Sequence, residues 1–171
     1  MSTPSNPAQV KIDWPDTQRE AQFGQWLDQQ AANFGLSTTS LRPASADASF
    51  RRYFRVDGVS GKDKRASFII MDAPPDKEDN AAFVRIAALL HEAGLRVPDV
   101  LHWDQENGFL LLSDLGAQTM MQSMDPQGPP PLARYQEAVD ALIAWQLASQ
   151  PAALPAYDQA LLARELQLLC E

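Results

Sequence analysis

The chain has few of the residues that build metal and disulfide sites. Of its 171 residues, one is cysteine and two are histidine. The single cysteine, Cys170, cannot form an internal disulfide or a multi-cysteine metal site, and His91 and His102 lack the spacing of paired metal ligands. We therefore expect no structural metal centre, and no residue of this chain is assigned as a metal ligand.

Positive charge and long apolar runs are also scarce. The chain holds 14 lysine and arginine residues against 22 aspartate and glutamate residues, for a formal net charge of -8. This balance gives no overall attraction to nucleic acid or to an anionic membrane surface. No apolar run approaches bilayer length, and the first residues lack the basic and then apolar pattern of a signal peptide. We expect a cytoplasmic protein, with neither nucleic acid nor membrane as a partner.

The composition is that of a folded globular protein, with 45% hydrophobic and 21% charged residues. Residues 1–16 are polar and rich in proline and serine, which predicts a flexible tail. Apolar residues at helical spacing then predict a first helix over residues 17–35, with Thr17 and Glu20 as a capping box and Gly35 as the stop. The folded part of the chain is therefore predicted to begin near residue 17.

Two pairs of strands flank a second helix in the predicted order. Aromatic content and period-two alternation predict strands at residues 50–56 and 66–71, and again at 97–103 and 109–112. Between the pairs, helical spacing over residues 79–93 ends at Gly94. Residues 41–48 are small and polar, and no strand is assigned to them individually. The prediction is an α+β fold, with a mostly antiparallel sheet over residues 41–112 and one inserted helix.

The last third of the chain is predicted to be helical. A loop rich in proline and glycine at residues 125–131 precedes a helix that ends near residue 150, and another helix begins around residue 157. Both helices carry leucine and tryptophan faces that nothing earlier in the chain is predicted to cover. We therefore expect self-association or marginal stability.

Four segments carry a resemblance to known kinases: SADASFRRYFR (residues 45–55), MDAPP (71–75), GLRVP (94–98) and GFLLLSDLG (108–116). Together they resemble the aminoglycoside phosphotransferase family. More narrowly, the first two resemble its branch of anomeric sugar kinases, which phosphorylate N-acetylmuramate and N-acetylglucosamine during cell-wall recycling. The resemblance runs from about residue 18 to residue 171.

This resemblance implies a protein-kinase-like N-lobe with its hinge over residues 17–116, and the start of a helical C-lobe over residues 117–171. Members of the family use ATP and Mg²⁺ to transfer the terminal phosphate to a hydroxyl, largely by positioning and charge neutralisation. Their catalytic base lies in a His-x-Asp-x-x-x-x-Asn loop and their metal-binding acid follows it. Neither motif occurs in these residues. We expect no catalytic residue and no turnover from this chain alone, with the metal ligands in the remainder of the C-lobe.

The resemblance places the nucleotide in two segments. A loop of small residues takes the place of the kinase glycine-rich loop, where backbone N–H groups could approach phosphates; its members are Ser45, Ala46, Asp47, Ala48 and Ser49. An ordinary polar turn is the alternative. At the hinge, backbone groups of Ser113 and Leu115 would hydrogen-bond adenine, and Asp114 is expected to cap a turn.

The cation that contacts the phosphates is less obvious. Kinases carry a strand lysine where this chain has Met71, and the helix glutamate that pairs with it falls near Phe83. Arg52 is the one charge among apolar neighbours on its face of the strand, so it is predicted to neutralise phosphate oxygens. Pairing with a carboxylate or reaching the surface are its alternatives. Arg51 and Arg55, on the other face, are expected to be solvated.

Two other classes of function remain open at this point. A non-catalytic nucleotide-binding or interaction module would keep the lobe without the chemistry. A kinase for another acceptor, such as an aminoglycoside, choline or homoserine, would share these motifs, because acceptor-binding residues lie mostly in the C-lobe of the family.

Overall fold

A computed structural model of the chain describes residues 12–46, 49–60, 64–125, 127–150 and 153–167. Five strands form one antiparallel sheet in the order β1-β2-β3-β5-β4, and helices precede, interrupt and follow it. The elements are α1 Thr17–Phe34, β1 Ser37–Ala46, β2 Arg52–Ser60, β3 Lys64–Asp72, α2 Asn80–Glu92, β4 Val100–Asp104, β5 Phe109–Ser113, a 3-10 turn at Met121–Ser123, α3 Leu132–Ala148 and α4 Gln159–Gln167. The predicted α+β fold is confirmed.

Both predicted strand pairs form, and a fifth strand joins them. β2 pairs with β3 and β4 pairs with β5, each antiparallel. β1 lies at the sheet edge beside β2, and its register shifts between Ser37 and Arg42 and again between Pro43 and Ser45. Proline is tolerated on an edge strand, which needs few ladder hydrogen bonds. Leaving residues 41–46 without a strand was therefore wrong, because their polar composition is that of an edge.

Helix α1 is capped at both ends. The side chain of Asp16 accepts a hydrogen bond from the Arg19 N–H at 2.7 Å, so Asp16 caps the helix. The predicted capping box at Thr17 is wrong by one residue, since Thr17 is the first helical residue. Gly35 ends the helix with φ of 62°, and its N–H donates to the Ala31 carbonyl. A left-handed residue at this position favours glycine.

Helix α1 covers one face of the sheet with aromatic side chains. Phe23 contacts Phe54 of β2 and Phe109 of β5, with ring centroids 5.4 Å apart in both pairs. Trp14, inside the segment predicted as a tail, lies 4.8 Å from Phe23 and extends this cluster. Residues 1–11 of that segment lie outside the described residues. This side of the sheet is a closed core.

Helix α2 lies against the opposite face. Met71 and Leu110 are fully buried there, and Phe83 and Val84 of α2 pack against them. Met71 and Phe83, which the resemblance places near the lysine and glutamate positions of kinases, thus lie in one apolar cluster. Any cation that serves phosphates on this face must come from elsewhere.

The two last helices bury little. None of the described residues of α3 or α4 is buried, and large apolar side chains such as Leu132, Leu147 and Leu166 are exposed. None of the helices in the described ranges combines the length and the apolar character that crossing a bilayer requires.

Candidate nucleotide site

A cavity of about 470 Å³ opens on the face of the sheet that carries α2. Its volume is within the usual range for small-molecule pockets. It lies between the sheet, the start of α2 and the segment that follows β5. Its lining residues are Ala44, Ser45, Tyr53, Arg55, Ile69, Phe83, Pro98, Leu112, Ser113, Asp114, Leu115, Gly116, Ala117, Gln118, Thr119 and Gln122.

Strand alternation explains which side chains reach the cavity. Tyr53 and Arg55 are two residues apart on β2 and therefore share a face. Ile69 pairs with both Arg55 and Leu112 in the sheet and adds apolar surface beside them. The cavity therefore has an aliphatic floor with a polar rim. Alternation in the sequence had placed Tyr53 and Arg55 on one face of β2, and Arg52, the predicted phosphate contact, on the other.

An ion pair at the rim joins β2 to the segment after β5. Arg55 Nε lies 2.6 Å from Asp114 Oδ2, and Arg55 Nη2 lies 3.1 Å from Asp114 Oδ1. The Ser67 hydroxyl donates to the same carboxylate at 2.6 Å. These bonds, led by the one from Arg55, lower the pKa of Asp114 from 3.8 to about 2 and raise the pKa of Arg55 above its usual value. The expectation that Arg55 is solvated was wrong, since its side chain is only 16% exposed.

The segment predicted as a hinge runs along the cavity mouth. Ser113 donates its N–H to the Asp99 carbonyl at 3.0 Å, and its hydroxyl accepts the Asp99 N–H at 2.8 Å. Asp114 Oδ1 accepts the Gly116 N–H at 2.8 Å, as expected of a turn cap. Within the described parts of the chain, the N–H of Leu115 has no hydrogen-bond partner. Leu115 thus presents a free donor beside an apolar wall.

The end of β1 also contributes to the cavity. Ser45 lines the cavity, and Ala46 pairs with Arg52 at the end of β1. Ser49 is exposed, and its hydroxyl accepts the Arg51 N–H at 3.2 Å. Asp47 and Ala48, which the sequence also assigns to this loop, lie outside the described residues.

Arg52 is not brought together with these residues. Its Nε lies 3.0 Å from Oδ2 of the fully buried Asp72, and its guanidinium stacks 4.4 Å from the Trp14 ring centroid. Arg19 of α1 donates to Oδ1 of the same Asp72. Arg52 therefore lies on the α1 face of the sheet, paired with a carboxylate, which is one of the alternatives that the sequence left open. Its assignment to phosphate stays a prediction, and this geometry does not favour it.

Arg51 lies just before β2, and its side chain reaches one of the cavity-lining residues. Its Nε lies 2.9 Å from Glu78 Oε2, and its guanidinium carbon lies 5.7 Å from the centroid of Phe83, which lines the cavity. Glu78 Oε1 also accepts the N–H of Phe50 at 3.1 Å. The expectation that Arg51 is solvated was wrong. The two acids before α2 have different roles. Glu78 pairs with Arg51, whereas Asp79 caps α2 by accepting the Ala82 N–H.

The described residues offer no cluster of three or more histidine, cysteine, aspartate or glutamate side chains that could hold a metal ion. The polar groups that are available at the cavity are backbone N–H groups, hydroxyls and paired arginines. Such groups suit an anionic or hydrogen-bonding organic ligand.

An antiparallel sheet with one inserted helix, a connecting segment along a cavity and helices beyond it define a kinase-like N-lobe followed by a few helices. Residues 40–171 match the phosphotransferase enzyme family APH. The chain therefore belongs to that family, as its motifs had indicated.

Three curated relatives carry the name N-acetylmuramate/N-acetylglucosamine kinase. The relatives from Pseudomonas aeruginosa and Pseudomonas putida are 47% and 42% identical over 160 residues, and one from Neisseria meningitidis is 36% identical over 156 residues. Each alignment covers 90% of this chain but only 44–45% of the relative. The chain thus spans a little under half the length of the curated relatives it matches.

Proposed function

We propose that this chain is the nucleotide-binding part of an ATP-dependent kinase that phosphorylates the anomeric hydroxyl of N-acetylmuramate or N-acetylglucosamine in cytoplasmic cell-wall recycling. The cavity along residues 113–116 is the observation that carries the nucleotide site. The names of the relatives support the acceptor class. In this proposal residues 17–116 are the N-lobe and hinge, and residues 117–171 begin the helical C-lobe.

Adenine binds between the sheet and the hinge. It needs a donor and an acceptor along one edge, and apolar surface above and below its ring. The free N–H of Leu115 and the carbonyl of Ser113 supply the polar edge, while Ile69 and Leu112 supply apolar surface. The ion pair between Arg55 and Asp114 balances the charge of both groups and fixes the segment after β5 to β2.

The phosphates point toward the loop at residues 45–49. Small side chains allow backbone N–H groups to approach an anion closely. Ser45 and the preceding Ala44 line the cavity, which supports this direction for the phosphates.

The chemistry requires more than these residues. When bound, Mg²⁺ would neutralise charge on the phosphates, and the proposal assigns no ligand for it to the described residues. The same holds for the catalytic base. What this part of the protein does is bind and orient the nucleotide.

The test uses the full-length protein that carries this chain. Calorimetric titration should show binding of adenosine and of a non-hydrolysable ATP analogue. Leu115→Pro removes the free N–H, so it should weaken both ligands by about tenfold, the cost of one lost hydrogen bond in a partly buried site. Gln105→Pro, at an exposed residue of the turn after β4 that does not line the cavity, is the control and should leave both affinities unchanged.

Phosphate transfer should then be measured with N-acetylmuramate, N-acetylglucosamine and kanamycin, and the product examined by phosphorus NMR. We expect an anomeric sugar phosphate and no kanamycin product. No binding of either ligand by the unaltered protein would overturn the nucleotide site. Binding with transfer to kanamycin alone would overturn the acceptor assignment.

A further inference from the structure

A second ion pair lies beyond the rim of the cavity, between the two loops at its phosphate end. Arg51 precedes β2 and Glu78 precedes α2, and their charged groups are 2.9 Å apart. Glu78 also accepts the N–H of Phe50, so one carboxylate holds both the loop backbone and the neighbouring arginine. These contacts tie residues 50–51, just before β2, to the start of α2.

The other described cations near this end are committed elsewhere. Arg55 is held by Asp114, and Arg52 is held by Asp72 on the opposite face of the sheet. Lys77 is exposed, with its Nζ 4.8 Å from the Phe50 ring. Arg51 is the described cation whose guanidinium lies against Phe83, a wall of the cavity.

Arg51 also has unused hydrogen-bonding capacity. Its Nε faces the Glu78 carboxylate, whereas its terminal nitrogens are not buried and have no hydrogen-bond partner among the described residues. A guanidinium carries several N–H donors in a rigid fork that matches phosphate oxygens. The terminal N–H groups of Arg51 are therefore free to donate to a ligand oxygen.

We propose that Arg51 is the phosphate-binding cation of this site, with Glu78 as the residue that positions it. The inference rests on the proposed nucleotide site and deepens it. Met71 and Phe83 fill the space between β3 and α2 with apolar contact. The ion pair of Arg51 and Glu78 lies instead between the residues that precede β2 and those that precede α2. Glu78 holds the guanidinium beside Phe83, a wall of the cavity.

The experiment compares ligands with and without phosphates on the full-length protein. Arg51→Ala should weaken a non-hydrolysable ATP analogue by about 10- to 100-fold, because a charge-assisted contact to phosphate is lost. Adenosine should lose less than about twofold, since its contacts lie at the hinge. Arg51→Lys should recover part of the loss, because the charge remains without the fork.

Glu78→Gln tests the positioning role. It keeps the side-chain shape and removes the charge that orients Arg51. The affinity for the ATP analogue should fall by less than in Arg51→Ala, and adenosine affinity should not change.

Two arginine variants serve as controls. Arg85→Ala removes an exposed arginine of α2 and should alter neither affinity. Arg52→Ala breaks the pair with Asp72, so it should lower the thermal midpoint without discriminating ATP from adenosine.

The outcomes separate this inference from the function on which it rests. Equal losses for both ligands in Arg51→Ala, or no loss with the fold intact, would make the pair a structural tie and overturn the inference alone. An ATP-selective loss in Arg52→Ala would also overturn it, in favour of Arg52. Absence of adenosine binding by the unaltered protein would overturn the proposed site and this inference with it.

Discussion

At the scale of single residues, each of two carboxylates at the sheet pairs with its own arginines. Asp72 holds Arg19 and Arg52 on the face of α1, while Asp114 holds Arg55 at the cavity. Burying a carboxylate without such partners is expensive, so these pairs are needed for the fold. Alternation in the sequence correctly separated Arg52 from Arg55. The sequence could not show which face carries the cavity. That depends on α1 covering the face of Arg52 and Asp72, and this packing joins residues that are distant in the sequence.

The pair between Arg55 and Asp114 predicts how stability depends on pH. The pKa of Asp114 is lowered from 3.8 to about 2 in the folded chain, so its contribution is present above pH 3.8 and is lost as the pH falls toward 2. That shift corresponds to on the order of 2 kcal/mol at neutral pH. Asp114→Asn should therefore lower the free energy of unfolding by this amount at pH 7, measured by urea denaturation.

The difference between the variant and the unaltered chain should shrink when the same measurement is made near pH 2. Asp57→Asn is the matched control, because Asp57 also pairs with an arginine but is 53% exposed. A surface pair is worth less than about 1 kcal/mol, so this control should change stability little at either pH. An equal loss at both pH values in Asp114→Asn would assign the effect to packing instead of charge.

At the scale of elements, the turn between β4 and β5 depends on a glycine. Gly108 has φ of 72°, and its carbonyl accepts the Ala73 N–H at 2.9 Å. A Cβ at this position would lie 2.1 Å from the Ala73 carbonyl oxygen and 3.0 Å from Asn80 Nδ2. The turn therefore sits directly against the connection from β3 to α2, with no space for a side chain.

Gly108→Ala should destabilise the chain by more than the positive φ alone requires. Gly94→Ala is the matched control, since Gly94 has φ of 76° and open space around its Cβ position. We expect a loss of about 1 kcal/mol in the control, from backbone strain, and at least about 2 kcal/mol more in Gly108→Ala. Urea denaturation of both variants measures the difference. Equal losses of unfolding free energy in the two variants would show that the turn accommodates the Cβ of residue 108 without additional strain.

Elements were predictable where their pattern is local. Both hairpins, α1 and α2 follow from alternation, helical spacing and glycine stops, and the structure confirms them. β1 was not predicted, because a strand of serine, threonine and proline becomes a strand only by pairing with β2. The segments at both ends of the cavity were named from sequence, and their roles remain proposals. Its walls at Tyr53, Ile69 and Phe83 were not named, because they meet only through packing.

At the scale of the whole molecule, α3 and α4 leave an apolar surface exposed. Leu147 is 83% exposed and Leu132 74%, and Val139, Leu142 and Ile143 are each about half exposed. A large exposed apolar patch of this kind marks a surface that binds another protein surface. We expect the 171-residue chain to self-associate as its concentration rises, which light scattering detects.

Leu142→Gln combined with Ile143→Gln should reduce this association, because both changes fall on α3. Leu101→Gln, at a partly exposed position on β4, is the matched control and should leave the association unchanged. A single monomeric species at every concentration would contradict the prediction.

The hydrogen bonds around Asp114 also determine where the chain can rotate. Arg55 and Ser67 fasten Asp114 to two neighbouring strands, and Arg55 Nη2 donates to the Gly116 carbonyl at 3.0 Å. The segment through Gly116 must therefore move with the sheet as one rigid body. Gly116 itself has φ of 116° and nothing within 4 Å of its Cβ position. Because its N–H and its carbonyl are both hydrogen-bonded, any rotation of α3 relative to the sheet must occur in the chain after Gly116. If Ser113 and Leu115 bind adenine as proposed, they would keep their positions during such a rotation.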